Sequence, residues 1–183
     1  MADERTRIAA DRLLDAAAVA FEANGVRSTT MLDVAAAAEC SRGTVYRYFA
    51  NRDDLLRAFV EREMARIGAE AGRRAMLETA PIDRVVELVA GSVELVADSP
   101  AITPFLEQDA LGITTQLGGS TEIVSAVADA LPALLGMDPD DPRGLAEWLV
   151  RVIMSFLTVG AGSRDGSEIR AYLRRYVGPV LPG

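Results

Sequence analysis

Residues 28–56 read STTMLDVAAAAECSRGTVYRYFANRDDLL, and three helix starts fall within this run. Thr30, Met31, Leu32 and Asp33 have the form of a capping box, a hydroxyl followed three residues later by a carboxylate. Ser41 is a second hydroxyl cap. Asn51 is a third, followed by acid at Asp53 and Asp54, where the positive end of a helix dipole favours it. Met31, Val34, Ala35 and Ala38 fall at i, i+3, i+4 and i+7, which predicts one apolar face on a helix from Thr30 to Ala38. A second, very short helix is predicted from Ser41 to Ala50. Its apolar side is only Val45 and Phe49, and its other side carries Arg42, Thr44, Tyr46, Arg47 and Tyr48 with no carboxylate. A helix that short is not stable alone in water, so its neighbours must hold it.

A helix-turn-helix accounts for both the shortness and the chemistry. The first helix packs at a steep angle on the second, and the second enters the major groove of double-stranded DNA. Arg donates two hydrogen bonds to guanine; Thr and Tyr hydroxyls reach phosphate, and an aromatic ring lies on a thymine methyl. The helix starts near Thr30 and Arg52 favour phosphate. The competing reading makes Tyr46 and Tyr48 core aromatics and the arginines a solvated face. Five such residues on one short helix behind a capped partner favour DNA.

The same residues resemble a known family. Thr29-Thr30-Met31, Asp33-Val34-Ala35, then Ser41 through Phe49 and Asn51-Arg52-Asp53-Asp54-Leu55-Leu56 are similar to the DNA-binding domain of TetR-family transcriptional regulators, over about residues 7–60. The resemblance implies an all-α homodimer, usually a repressor, released from its operator by a small ligand. By position it implies DNA contacts from Thr30, Arg42, Gly43, Thr44, Tyr46, Arg47, Tyr48 and Arg52. Three residues depart from the family pattern. Glu39 stands where the turn usually has glycine; if its φ is positive, the cost is about 1 kcal/mol or somewhat more. Leu32 replaces a commonly polar residue, and Arg52 stands where Lys is common. Cys40, in the turn, is expected to be a buried, inert thiol.

Composition bounds the rest. Half of the 183 residues are apolar, so a sizeable core needs no disulfide, and one Cys allows none within the chain. Met1 to Arg12 is charged throughout, unlike a secretory signal, and no apolar run approaches a membrane span. The cytoplasm is the expected compartment. There is no His, which removes the commonest general base, metal ligand and near-neutral switch. All 19 basic residues are Arg, each a fork-shaped donor. Net charge is −8, but residues 1–57 carry 8 Arg against 9 acids and residues 58–183 carry 11 against 18. The acid is concentrated away from the motif. Weak non-specific affinity and reliance on specific contacts, doubled by a dimer, are expected.

The fold class predicted is all-α, with about nine helices: a helix-turn-helix domain over residues 1–50 and a ligand-binding and dimerisation domain over 51–183. The first helix spans about Arg5 to Asn24, with Leu14, Ala17, Ala18 and Phe21 inward and Gly25 after its end. A long helix from Asn51 to about Met76 joins the DNA-reading head to the rest, so a shift at its far end can swing the head. A linker at Glu78–Ile82 precedes a helix with Ile82, Val85, Val86, Val89, Val93 and Val96 on one stripe. A short or kinked helix is predicted from Pro100 to Gln108, an irregular segment over 109–120, and a helix from Thr121 to Leu135 with Pro132 near its end. The next helix, about Arg143 to Gly160, is apolar over more than half its circumference, and the last spans about Ser167 to Val177. These two are expected to pair across a two-fold axis through Leu149, Val152, Ile153, Phe156, Ile169, Tyr172, Leu173 and Tyr176.

A ligand pocket is expected among Met64, Ile67, Val86, Phe105, Leu106, Leu111, Leu117 and Trp148, with segment 109–120 as its gate. Three function classes compete. One is a DNA-binding repressor, homodimeric on a palindromic operator and released by a small, mostly apolar inducer. The second is a DNA-binding regulator without such a ligand, controlled by a protein partner or by abundance. The third is a helical enzyme or lipid carrier. Without His, a phosphate loop, a nucleophile with a base, or a metal-ligand cluster, the enzyme reading has no support. No cofactor and no metal are expected.

Overall fold

The computed structural model describes residues 2–105, 121–158 and 165–177, and every regular element in them is helical. Eight helices are defined: α1 (Ala2–Asn24), α2 (Met31–Ala37), α3 (Arg42–Tyr48), α4 (Arg52–Ala75), α5 (Pro81–Ala97), α6 (Thr121–Leu135), α7 (Pro142–Thr158) and α8 (Gly166–Tyr176). The helix expected at 100–108 is represented by helical residues 103–105. Its remainder, with the expected gate at 109–120, lies outside the described residues. None of the described helices is long and apolar enough to cross a membrane.

The chain divides into two compact units, residues 1–63 and 64–183. The division therefore falls inside α4, beyond the boundary expected at 50/51. The reason is packing: Leu55 and Phe59 of α4 are 1% exposed, and the Phe59 ring meets Phe21 of α1 edge-on at 5.1 Å. The first turns of α4 are thus part of the N-terminal core.

In the first unit, α1 buries Leu13, Leu14, Ala17 and Phe21. It ends at Gly25, whose φ of +77° places it in the left-handed region and whose amide donates to Phe21 O at 2.8 Å. The connection to α2 is held from within. The buried Thr29 hydroxyl donates to Ala20 O at 3.0 Å and Gly25 O at 2.8 Å. From α4, the Arg62 guanidinium donates to Asp11 O at 2.8 Å and pairs with Asp15 at 2.9 Å, binding α4 to α1.

In the second unit, α5 buries the expected stripe of Val85, Val86, Val89, Val93 and Val96, and it packs against α6, α7 and α8. Ala71 and Ala75 of α4 meet Leu88 and Leu134 in a small-residue core. Pro132 lies inside α6, and Gly136, at φ +73°, follows its end. A full capping box, Asp165 with Glu168, starts α8. Arg170 of α8 then forks onto two carboxylates of α5, Glu87 and Glu94, through bonds of 2.6–3.0 Å. Arg174 adds Asp83 at 2.8 Å. This polar seam fixes where α8 lies along α5.

Candidate nucleic-acid interface

The site is built on α2 and α3. The Thr30 amide donates to the Asp33 carboxylate at 2.8 Å, and the Asp33 amide donates back to the Thr30 hydroxyl at 3.3 Å. The Thr30 amide foremost, and then the Thr30 hydroxyl, which donates to the same carboxylate at 2.7 Å, hold the Asp33 carboxyl below its ordinary value of 3.8. Met31, Val34 and Ala35 are buried, so one face of α2 is spent on the core. Leu32 on the opposite side is 62% exposed.

The turn between the helices needs a left-handed residue, and Glu39 supplies it at φ +52°. With it in place, the amides of Glu39 and Cys40 reach Ala36 O at 3.1 Å and Ala35 O at 3.0 Å, satisfying the last turn of α2. A non-glycine residue held there costs on the order of 1 kcal/mol. Cys40 is half-buried rather than buried, with its thiol 3.6 Å from Ser41 O.

Ser41 caps α3 by accepting from the Thr44 amide at 3.1 Å, and its hydroxyl also lies 2.9 Å from that of Thr44. Val45 and Phe49 anchor the helix, at 0% and 7% exposure. Phe49 is extended, with φ −129° and ψ 113°, which ends α3 after seven residues. Everything else on the helix faces outward or sideways: Arg42, Gly43, Tyr46 and Arg47 are exposed, and Thr44 and Tyr48 are half-buried. The Arg42 guanidinium donates to the Tyr46 hydroxyl at 3.1 Å and lies 5.1 Å from its ring centre. Arg47 lies likewise 5.1 Å from the Tyr48 ring. Because Tyr46 accepts from Arg42, its own hydrogen remains available, and Arg42 keeps four of its five donors. The surface offers donors and ring faces with no carboxylate on the helix, which suits base edges and phosphates.

Gly43 is informative for what it lacks. Its φ is not positive, and an added Cβ would meet only Ser41 Oγ at 3.7 Å, an ordinary contact. Nothing within the subunit demands glycine there, although glycine weakens a helix by about 1 kcal/mol relative to alanine. Close approach of another molecule's backbone would demand it.

Arg52, also expected at the DNA, makes bonds within the subunit. Its Nε donates to Thr29 O at 2.9 Å and its Nη2 to Val26 O, so the side chain turns onto the connection before α2. Sequence reading missed this, because the partners lie 23 and 26 residues away.

A sequence profile described as "Bacterial regulatory proteins, tetR family" matches residues 13–59, which contain all of α2 and α3. The whole chain is also similar to an HTH-type transcriptional regulator of Mycobacterium tuberculosis, with 35% identity over 97% of this chain and 87% of that protein. The chain belongs to the TetR family of transcriptional regulators. This TetR-family chain is also 26% identical to the HTH-type transcriptional repressor KstR of Mycolicibacterium smegmatis, over 92% of its length and 86% of that protein. Two solved structures share the fold. The TetR-family repressor AlkX from Dietzia gives a TM-score of 0.71 at 23% identity, covering 92% of each chain. The regulator FadR of Bacillus subtilis gives 0.61 at 16% identity, covering 93% of this chain and 98% of that one.

For the second unit of this TetR-family regulator, burial sorts the residues expected at a dimer face. Leu149, Ile169 and Leu173 are 0%, 3% and 0% exposed, covered by the chain's own residues, so they belong to the subunit core and not to a partner. Val152 and Ile153 are half-buried, Phe156 is buried, and Tyr172 and Tyr176 are exposed. The last three form an aromatic ladder, with ring centres 5.7 Å and then 4.7 Å apart. Of the expected pocket residues, Met64, Ile67 and Trp148 are half-buried and Val86 and Phe105 buried. Leu106, Leu111 and Leu117 lie outside the described residues.

Proposed function

We propose that this TetR-family chain is a homodimeric repressor that reads a palindromic operator through α3 and leaves it when a small, mostly apolar ligand binds. The outward face of α3 carries the reading. Arg42, Tyr46 and Arg47 stand free of the subunit core on a helix anchored only by Val45 and Phe49. Thr44, Tyr48 and the bare backbone at Gly43 complete the surface, and the Thr30 cap positions α2 behind it. The first unit is not basic overall, so sequence-specific bonds and two copies of the head must supply the affinity.

Two copies require a face between them. Val152, Ile153, Tyr172 and Tyr176 offer apolar and aromatic groups on α7 and α8, suited to a four-helix packing about a two-fold axis. Ligand release draws support from relatives: KstR is named a repressor, and the FadR structure holds stearoyl-CoA. Together with Met64, Ile67, Val86, Phe105 and Trp148, this favours an apolar, acyl-like inducer acting in the cytoplasm.

Selection of bound DNA from a random pool tests the reading. The expected product is a palindrome, bound by the wild-type chain. Arg42→Ala with Tyr46→Ala should lose it by at least about a hundredfold with helicity intact. Undiminished affinity in the double variant would remove α3 as the reading element. Long-chain acyl thioesters added to the complex are expected to release the DNA. DNA binding that no apolar ligand alters would leave the regulator controlled by abundance or a protein partner.

A further inference from the structure

We propose that Arg52 is a positioning residue of the DNA-reading head rather than a phosphate contact, an inference that rests on the DNA-binding reading above. The backbone between α1 and α2 runs from Gly25 to Thr30 and carries the cap that starts α2. The Thr29 amide reaches Gly25 O at 3.2 Å, and the buried Thr29 hydroxyl ties the segment to the end of α1. Arg52, the first residue of α4, supplies a further link. Its Nε meets Thr29 O at 2.9 Å, and its Nη2 meets Val26 O. One planar guanidinium edge thereby joins the start of α4 to two carbonyls three residues apart, on the segment leading into Thr30.

The chemistry of that link is specific to a fork. Two donors held in one plane at fixed spacing can satisfy two carbonyls at once, whereas an ammonium is a single point donor. A phosphate contact draws first on charge, which Lys retains, and is seen in the salt dependence of binding, whereas the two carbonyls carry no charge. Arg52 is half-buried, and the bonds above direct its Nε edge inward. Its effect on DNA therefore runs through the placement of Thr30 and α2, and through α2 to α3, which packs on it.

Arg52→Lys removes the fork without changing charge, Arg52→Ala removes both, and the salt slope with the amide exchange separates the two roles. DNA affinity is measured on the selected sequence over a series of salt concentrations, with amide exchange at residues 26–31 and thermal melting alongside. The expected result for Arg52→Lys is about tenfold weaker binding by a protein still folded at the assay temperature. Its salt dependence is unchanged, and the 26–31 amides exchange faster. Binding by Arg52→Lys within about twofold of wild type overturns the proposal, because charge alone would then suffice. So does a salt slope lowered by about 0.9 in Arg52→Ala, the mark of one lost phosphate. A lower melting temperature with affinity and exchange intact also overturns it, since the residue would then be merely structural. If the wild-type chain selects no DNA, the DNA-binding reading itself fails, and the exchange comparison still reports whether the fork holds the segment.

Discussion

At the scale of single residues, the interface is defined as much by absence as by presence. Gly43 sits in a seven-residue helix that could use every increment of propensity, and its surroundings leave room for a methyl group. Gly43→Ala is expected to raise stability by about 0.5–1 kcal/mol, read by chemical denaturation. The same substitution should weaken binding to the selected DNA by about tenfold or more, as the added Cβ meets the approaching backbone. A variant that is both more stable and equally tight would show that α3 stands farther from DNA at this point. Glu39 poses the reverse case. Its positive φ was foreseeable from its place in the turn, and the strain there is carried for the geometry that sets α3 against α2.

At the scale of elements, caps and seams behave differently in their legibility. The Thr30–Asp33 box, the Ser41 cap, the Asn51 cap and the end at Gly25 are local, so short windows of sequence disclose them. The helix expected from about Thr121 to Leu135 is found there. The Arg170 seam was not, because Glu87 and Glu94 are 83 and 76 residues away. Spacing rules also cannot tell an apolar residue covered by its own subunit from one covered by a partner, which is why Leu149, Ile169 and Leu173 were assigned outward. The seam makes a prediction of its own. A Cβ on Gly166 would lie 1.5 Å from Glu94 Oε1, so Gly166→Ala must dislodge that carboxylate from Arg170. A loss of about 1–2 kcal/mol is expected in denaturant melts. Acid titration gives the second readout. The Arg170 bond holds the Glu94 carboxyl below its ordinary value of 4.5. The stabilisation is complete above that unfolded value and disappears as pH falls through the lower folded one. Gly166→Ala should therefore be least different from wild type at the acid end.

For the whole molecule, the decisive quantity is the number of copies. The exposed rings of Tyr172 and Tyr176 make a surface that water solvates poorly. Static light scattering at micromolar concentration is expected to give twice the mass of one chain. Val152→Arg combined with Tyr176→Arg should give a folded monomer that binds half of a palindrome weakly. A wild-type monomer would leave the palindrome without a reader. The all-α class was legible from helix caps, apolar periodicity and the family resemblance together. The position of the division was not, since Leu55 and Phe59 look alike in sequence whichever unit they serve.

The pairing of Arg42 with Tyr46 has one further consequence. A long flexible side chain ordinarily loses about 0.5–1.5 kcal/mol of rotational freedom when a partner immobilises it. Here the guanidinium already leans on a ring one turn away in the unbound chain. Under the proposed reading, Arg42 reaches the groove stiffened in advance, and the entropic penalty of docking is smaller by that much.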